Sequence, residues 1–112
     1  MTKTLWRPVG QKELQLIKNS NFTAFPPRLQ QQPIFYPVCN REYAQEISKK
    51  WNVDYCGKGY VLEFEVDEEY ISGYKTHIVG SKKHEEYWIP AEDLNEFNKN
   101  IVGEIRVVDE YE

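Results

Sequence analysis

Alternation of apolar and polar positions is clearest over residues 60–66, where only Val61 departs from it. A period of two predicts a β-strand with one buried face, here the face of Tyr60, Leu62, Phe64 and Val66. Shorter or weaker runs of the same kind predict further strands at residues 5–9, 34–38, 74–79, 85–89 and 105–108. Pro8 limits the first of these to an edge or bulged strand, because proline cannot donate to a β-ladder.

Helical spacing appears in two longer segments. In residues 11–19, Leu14 and Ile17 lie three apart, which predicts one buried face. In residues 41–51, a second helix is predicted to begin after Asn40, a residue type favoured at the N-cap. Its predicted apolar stripe consists of Ala44, Ile47 and Trp51.

The remaining segments are shorter or irregular. Residues 22–33 contain three prolines and three consecutive glutamines, which predicts a loop that Phe22 and Phe25 pin to the domain. Residues 67–72 are expected to form one helical turn. Pro90 is expected to open a short helix that buries Leu94 and Phe97.

The order of these elements predicts an α+β fold, because regular βαβ alternation is missing. Residues 1–112 are expected to form a single domain, a strongly bent mixed or antiparallel sheet with the two main helices packed on one side. The predicted core contains Leu14, Ile17, Ala44, Ile47, Leu62, Phe64, Leu94 and Phe97.

Composition narrows the functional classes. A chain of 112 residues with 40% hydrophobic residues can bury a core without metal or disulfide support. A net charge of −4 disfavours binding to duplex nucleic acid and attraction to an anionic membrane. Residues 1–10 lack a signal-peptide pattern and no apolar run could span a bilayer, so a cytoplasmic location is expected. Cys39 and Cys56 are then expected to be free thiols.

Two charged residues are candidates for binding chemistry. Arg7 lies within a strand between an aromatic residue and Pro8, and it is either a surface arginine over an aromatic ring or a bidentate phosphate ligand. If Tyr87 and Ile89 face the core, Glu86 and Trp88 share the other face. Glu86 could then accept hydrogen bonds from sugar hydroxyls, or it could be a solvent-facing glutamate paired with a nearby lysine.

Three aromatic residues complete the candidates. Phe35, Tyr36 and Tyr43 could stack on flat rings such as nicotinamide or adenine, or they could be core residues. A metal site is not expected, because His77 and His84 lie seven residues apart without ligands at a suitable spacing. No sequence motif gives either cysteine a catalytic partner.

Several phrases of the sequence, taken together, resemble those of a known family. They include residues 5–10 (LWRPVG), 25–28 (FPPR), 33–38 (PIFYPV) and 86–92 (EYWIPAE). The set resembles a family of short bacterial proteins labelled ADP-ribosylation/crystallin J1-like, and the element order is similar to that of the ADP-ribosyltransferase fold. This chain differs from that fold's usual pattern in lacking a Ser-Thr-Ser triplet on the second strand and a Glu-x-Glu pair at Glu86, where Trp88 stands two residues later.

The resemblance implies NAD as a substrate and assigns roles to four residues. Glu86 would be the catalytic residue that stabilises positive charge on the ribose. Arg7 would hold a phosphate, and Tyr36 or Tyr43 would stack on nicotinamide. The alternative is a non-catalytic module of the same fold that binds a nucleotide or a protein partner.

Overall fold

Three antiparallel strands that are distant in sequence form the centre of the fold. In the computed structural model, which describes residues 1–53, 57–80 and 84–112, the strands are β1 (Thr2–Val9), β2 (Ile34–Phe35), β3 (Gly59–Asp67), β4 (Thr76–Ile78), β5 (Glu85–Tyr87), β6 (Ile89–Pro90) and β7 (Ile101–Tyr111). β3 lies between β1 and β7, and every paired strand is antiparallel to its neighbour. The predicted α+β class with antiparallel sheet is therefore confirmed.

The segment around Val38 extends this sheet. Val38 exchanges backbone hydrogen bonds of 3.0 and 2.8 Å with Trp6 of β1. On its other side, the Tyr87 N–H of β5 donates to the Pro37 carbonyl at 2.9 Å. β5 in turn pairs with β4. Residues far apart in sequence, on β1 and β5, are thereby brought to either side of a single linking segment.

The helices of the described residues begin close to where local signals predict. They are α1 (Gln11–Asn19), α2 (Arg41–Ile47), α3 (Glu68–Ile71) and α4 (Leu94–Lys99), with a π turn at Ser48–Asn52 and a 3₁₀ turn at Ala91–Asp93. Asn40 caps α2 by accepting a 2.7 Å hydrogen bond from the Tyr43 N–H. Among the described residues, no helix combines the length and apolar character needed to cross a membrane.

α1 and α2 lie on opposite faces of the central sheet, so the prediction that both pack on one side is wrong. Leu62 of β3 belongs to the main core with Leu14 and Ile17 of α1. Val61, the preceding residue, packs instead with Ala44 of α2. Because successive strand residues point to opposite faces, the two helices cover different sides.

The helix that begins at Arg41 does continue through Trp51, but the prediction that Trp51 lies on its apolar stripe is wrong. Its last turn is a π turn, and Ser48 is fully buried there while Trp51 is 66% exposed. A π turn contains more residues than an α-helical turn, so it rotates Trp51 off the apolar stripe. Ile47 is half-buried, and the other seven predicted core residues are buried.

Candidate functional site

Glu86 is buried on the α2 side of the sheet. Tyr87 and Ile89 point into the main core, so Glu86 and Trp88 share the opposite face, as the alternation predicts. Glu86 is only 8% exposed, whereas Trp88 is 42% exposed. The interpretation of Glu86 as a solvent-facing strand glutamate is therefore wrong. Lys82 and Lys83, its suggested partners, lie outside the described residues.

Two neutral groups hold the Glu86 carboxylate. The Tyr43 hydroxyl donates to Oε1 at 2.7 Å, and the Trp88 indole N–H donates to Oε2 at 2.8 Å. Within the described chain, no cationic side chain lies within 4.0 Å of Glu86. A carboxylate can accept about four hydrogen bonds, so acceptor sites remain on both oxygens.

The two donors are themselves fixed by stacked histidines. His84 stacks on Tyr43 with ring centroids 4.4 Å apart, and His77 stacks on Trp88 at 3.7 Å. His77 also lies directly opposite Glu86 in the β4–β5 ladder. Burial and the hydrogen bond to Glu86 raise the pKa of Tyr43, so its phenol remains a neutral donor at physiological pH.

Arg7 is as buried as Glu86, but its guanidinium is already paired. Its Nε and Nη2 donate to the two carboxylate oxygens of Glu13 at 2.8 and 3.1 Å. Its Nη1 donates to the Tyr36 carbonyl at 3.3 Å, and the group lies 4.7 Å from the Phe35 ring centroid. Glu13 thus occupies the fork that the sequence assigned to phosphate, and phosphate binding would require Glu13 to release it.

Three of the four predicted site residues border one pocket of about 260 Å³. Its lining consists of Arg7, Pro8, Tyr36, Val38, Ile47 and Glu86. Tyr43, the fourth, reaches the site through its hydrogen bond to Glu86. Tyr36 is 39% exposed and meets Trp88 edge to face, so an aromatic pair stands beside the pocket.

The open side of β1 explains why a pocket forms there. The Trp6 N–H points away from β3 toward Val38, and strand N–H groups alternate in direction. The backbone nitrogen of Pro8, which carries no hydrogen, therefore lies on that same edge, two residues beyond the bridge between Trp6 and Val38. Because the N–H that Pro8 lacks would face away from β3, its absence removes no hydrogen bond from the β1–β3 ladder. The segment around Val38 can therefore diverge from β1 at this point and leave space beside Glu86.

The aromatic and loop residues near Arg7 belong to the other side of the sheet. Phe35 is buried among Phe25 and Phe97, so it is a core residue rather than a stacking surface. Arg28 of the 22–33 loop donates to the Ile34 carbonyl at 3.2 Å. Burial and the nearby Arg7 lower the pKa of Arg28. No loop residue lines the Glu86 pocket within the described part of the chain.

Other chemistry receives little support from the described residues. Cys39 is an unbridged, half-buried thiol, and burial together with Glu85 raises its pKa to about 11, so it is protonated at neutral pH. Cys56 lies outside the described residues. No group of three histidine, cysteine or acidic side chains could hold a metal ion among residues 1–53, 57–80 and 84–112.

Sequence reasoning missed Glu13 and the two stacked histidines. Glu13 is in the first turn of α1, directly after β1 ends, and a carboxylate at that position is favoured by the helix dipole. That signal could have suggested a partner for Arg7. His77 and His84 carry no local signal for stacking, because their aromatic partners are distant in sequence or on another strand.

Comparisons with known proteins provide no relative. No protein-family model, curated protein or solved structure matches this chain.

Proposed function

We propose that the Glu86 pocket binds the nicotinamide–ribose end of NAD or a related nucleotide, and that the chain is an ADP-ribosyltransferase-like domain. The observation that carries the proposal is a carboxylate, 8% exposed, held by neutral donors beside a pocket. Its remaining acceptor sites suit the vicinal hydroxyls of a ribose. Tyr36 and Trp88 offer aromatic surface for a flat ring beside that ribose.

The same carboxylate suits the chemistry of transfer. Breaking the ribose C1′–nicotinamide bond sends the electron pair to nicotinamide, which leaves neutral, and positive charge develops on the ribose. Glu86 would stabilise that charge in surroundings of low polarity, where a fixed charge acts strongly. A hydroxyl oxygen of the molecule that receives ADP-ribose then bonds to C1′, and the proton of that hydroxyl goes to solvent.

The pocket limits how much of the ligand it can hold. Its volume of about 260 Å³ is slightly below the ~300–1,000 Å³ usual for ligand pockets, so a nucleoside-sized part fits better than a whole dinucleotide. The phosphates of the ligand would lie toward Arg7, where one of them must displace the Glu13 carboxylate from the guanidinium. Exchange of one anion for another at Arg7 keeps the local charge balanced.

A second function has a specific observation in its favour. Because Glu13 already holds Arg7 bidentately, a ligand without phosphate meets no competition at the pocket. A non-catalytic module that binds a nucleoside, or the aromatic and hydroxyl groups of a protein partner, is therefore the alternative. The two functions differ in turnover and in whether phosphate adds to affinity.

Calorimetric titration with NAD, ADP-ribose and nicotinamide riboside, together with an assay of nicotinamide release, tests the proposal. Glu86→Gln should bind NAD within a few-fold of wild type but release nicotinamide about 100-fold more slowly, as for loss of a transition-state group. Glu85→Gln, one residue away on β5, is the matched control and should behave as wild type.

The outcomes separate the candidates. Binding of nicotinamide riboside without turnover, and without added affinity from phosphate, favours the non-catalytic module. If the wild-type protein binds none of the three compounds at millimolar concentration, both ADP-ribose transfer and nucleoside binding are wrong, and only a protein partner remains as the occupant of the pocket.

A further inference from the structure

A second pocket includes Tyr43 in its lining. Its volume is about 380 Å³, larger than that of the Glu86 pocket. Its lining consists of Tyr43, Glu46, Ile47, Lys50, Trp51, Val79 and His84. Only Ile47 is shared with the lining of the Glu86 pocket. The two pockets can therefore be altered separately.

The exposure of Trp51 is the first observation that points to a ligand. An indole that is 66% exposed leaves a large apolar surface in water, and the π turn is what turns it outward. Val79, across the pocket, is 47% exposed as well. π turns within helices frequently occur at functional sites. A flat ring entering the pocket would cover the indole and gain stacking energy.

The charges around the pocket determine the sign of the ligand. Lys50 makes no hydrogen bond or ion pair with the described residues. The Glu46 carboxylate, by contrast, is engaged by His84 Nε2 at 2.9 Å. The Glu46 carboxylate thus has a hydrogen-bond partner in the lining, whereas the Lys50 ammonium has none among the described residues and favours an anionic group on the ligand.

We propose that this pocket is a binding site for a purine mononucleotide, whose base stacks on Trp51 while its phosphate meets Lys50. A purine matches the two fused rings of the indole, and a monophosphate supplies an anion one sugar away from the base. The site stands apart from the proposed function, because none of its evidence depends on Glu86 or on NAD.

Calorimetric titration of the intact chain with AMP and with adenosine tests the proposal. AMP should bind, and Trp51→Ala should weaken it about 10-fold or more, which corresponds to the ~1–3 kcal/mol of base stacking on an aromatic side chain. Lys50→Gln should weaken AMP several-fold and leave adenosine unchanged. Leu29→Ala removes a similarly exposed apolar side chain elsewhere, 59% exposed against 66% for Trp51, and should change neither affinity.

Three results would overturn the site. They are no AMP binding by the wild type at millimolar concentration, equal AMP affinity in Trp51→Ala and wild type, or AMP binding that Glu86→Gln abolishes. The last would place AMP in the Glu86 pocket. Failure of AMP with intact nicotinamide riboside binding would reject this site and leave the proposed function standing.

Discussion

Arg7 and Glu86 both line one pocket and are 9% and 8% exposed, yet the charges of these two parts of the lining, the Arg7 wall and the Glu86 wall, are satisfied differently. Arg7 has a full counter-charge in Glu13 at 2.8 Å. Glu86 has only the dipoles of a phenol and an indole. The Arg7 guanidinium, paired with Glu13, has few donors free for a ligand. The Glu86 carboxylate, held by neutral donors, keeps its charge and part of its capacity to accept hydrogen bonds.

This contrast suggests that the ion pair on the Arg7 wall mainly stabilises the fold, and that the carboxylate on the Glu86 wall serves the proposed binding of a ligand. A buried charge without a counter-charge destabilises the folded state, because no ion pair offsets the free-energy cost of its desolvation. Where such a charge persists beside a pocket, a function is the natural explanation. The unfolding free energies of matched variants test this contrast.

The largest effect is expected from Phe64→Ala, which sets the scale for the rest. Phe64 is fully buried and its ring packs against Phe25 and Phe97. Deleting it should lower the free energy of unfolding by about 3 to 5 kcal/mol, since a cavity remains. Urea denaturation measures this loss. A loss below about 1 kcal/mol would mean that the core collapses around the gap and that the scale is too large.

Glu13→Ala should have the next largest effect. It leaves the Arg7 guanidinium with one carbonyl partner and no counter-charge, which should cost about 3 kcal/mol in urea denaturation. A double variant, Arg7→Leu with Glu13→Leu, should recover most of the loss, because it removes both charges. If Glu13→Ala is as stable as wild type, the ion pair between Arg7 and Glu13 does not stabilise the fold.

Tyr43→Phe tests the neutral donor on the other wall. Losing one hydrogen bond to Glu86 should cost about 1 to 1.5 kcal/mol at pH 7. The raised pKa of Tyr43 means that the unfolded chain loses this proton near about pH 10 while the folded chain keeps it. Its contribution to stability is therefore complete below pH 10 and lost as pH rises further.

The pH dependence of unfolding in urea isolates this contribution. Between about pH 9 and 11, wild-type stability should fall more steeply than that of Tyr43→Phe. Burial also raises the pKa of Tyr70, Tyr74 and Cys39, but these groups titrate in both proteins and cancel in the difference. Parallel curves would show that the Tyr43 hydroxyl is solvated rather than bonded to Glu86.

Glu86→Gln should have the smallest effect on stability, below about 1 kcal/mol. The amide oxygen can accept from Trp88 and the amide N–H₂ can donate to the Tyr43 hydroxyl, so both neighbours stay bonded. The substitution also removes the cost of burying a charge. A loss as large as that of Glu13→Ala, measured in the same urea series, would erase the contrast between the two walls.

Local chemistry accounts for the elements that the sequence predicts well. α1 follows from the spacing of Leu14 and Ile17, and α2 begins at Asn40 because the asparagine side chain binds a backbone N–H three residues away. The face of Glu86 follows from strand alternation alone. These features depend on residues within a few positions of one another.

What the sequence could not predict depends on long-range geometry. Alternation in β3 gives the strand two faces but does not say which helix covers which, so the opposite placement of α1 and α2 was missed. The pairing of Arg7 with Glu13 depends on the angle at which the chain leaves β1. Trp51 was misplaced because a π turn changes the helical period without an evident sequence signal.

The placement of β3 at the centre of the sheet also governs how the chain folds. Thr2 of β1 pairs with Asp67, and β3 pairs on its other side with β7, so neither ladder joins segments that are adjacent in sequence. Long loops must close before either ladder stabilises the chain, which slows folding to the millisecond-to-second range typical of such topologies. Once formed, β3 is bonded on both sides, and its amide protons should be the last to exchange with solvent.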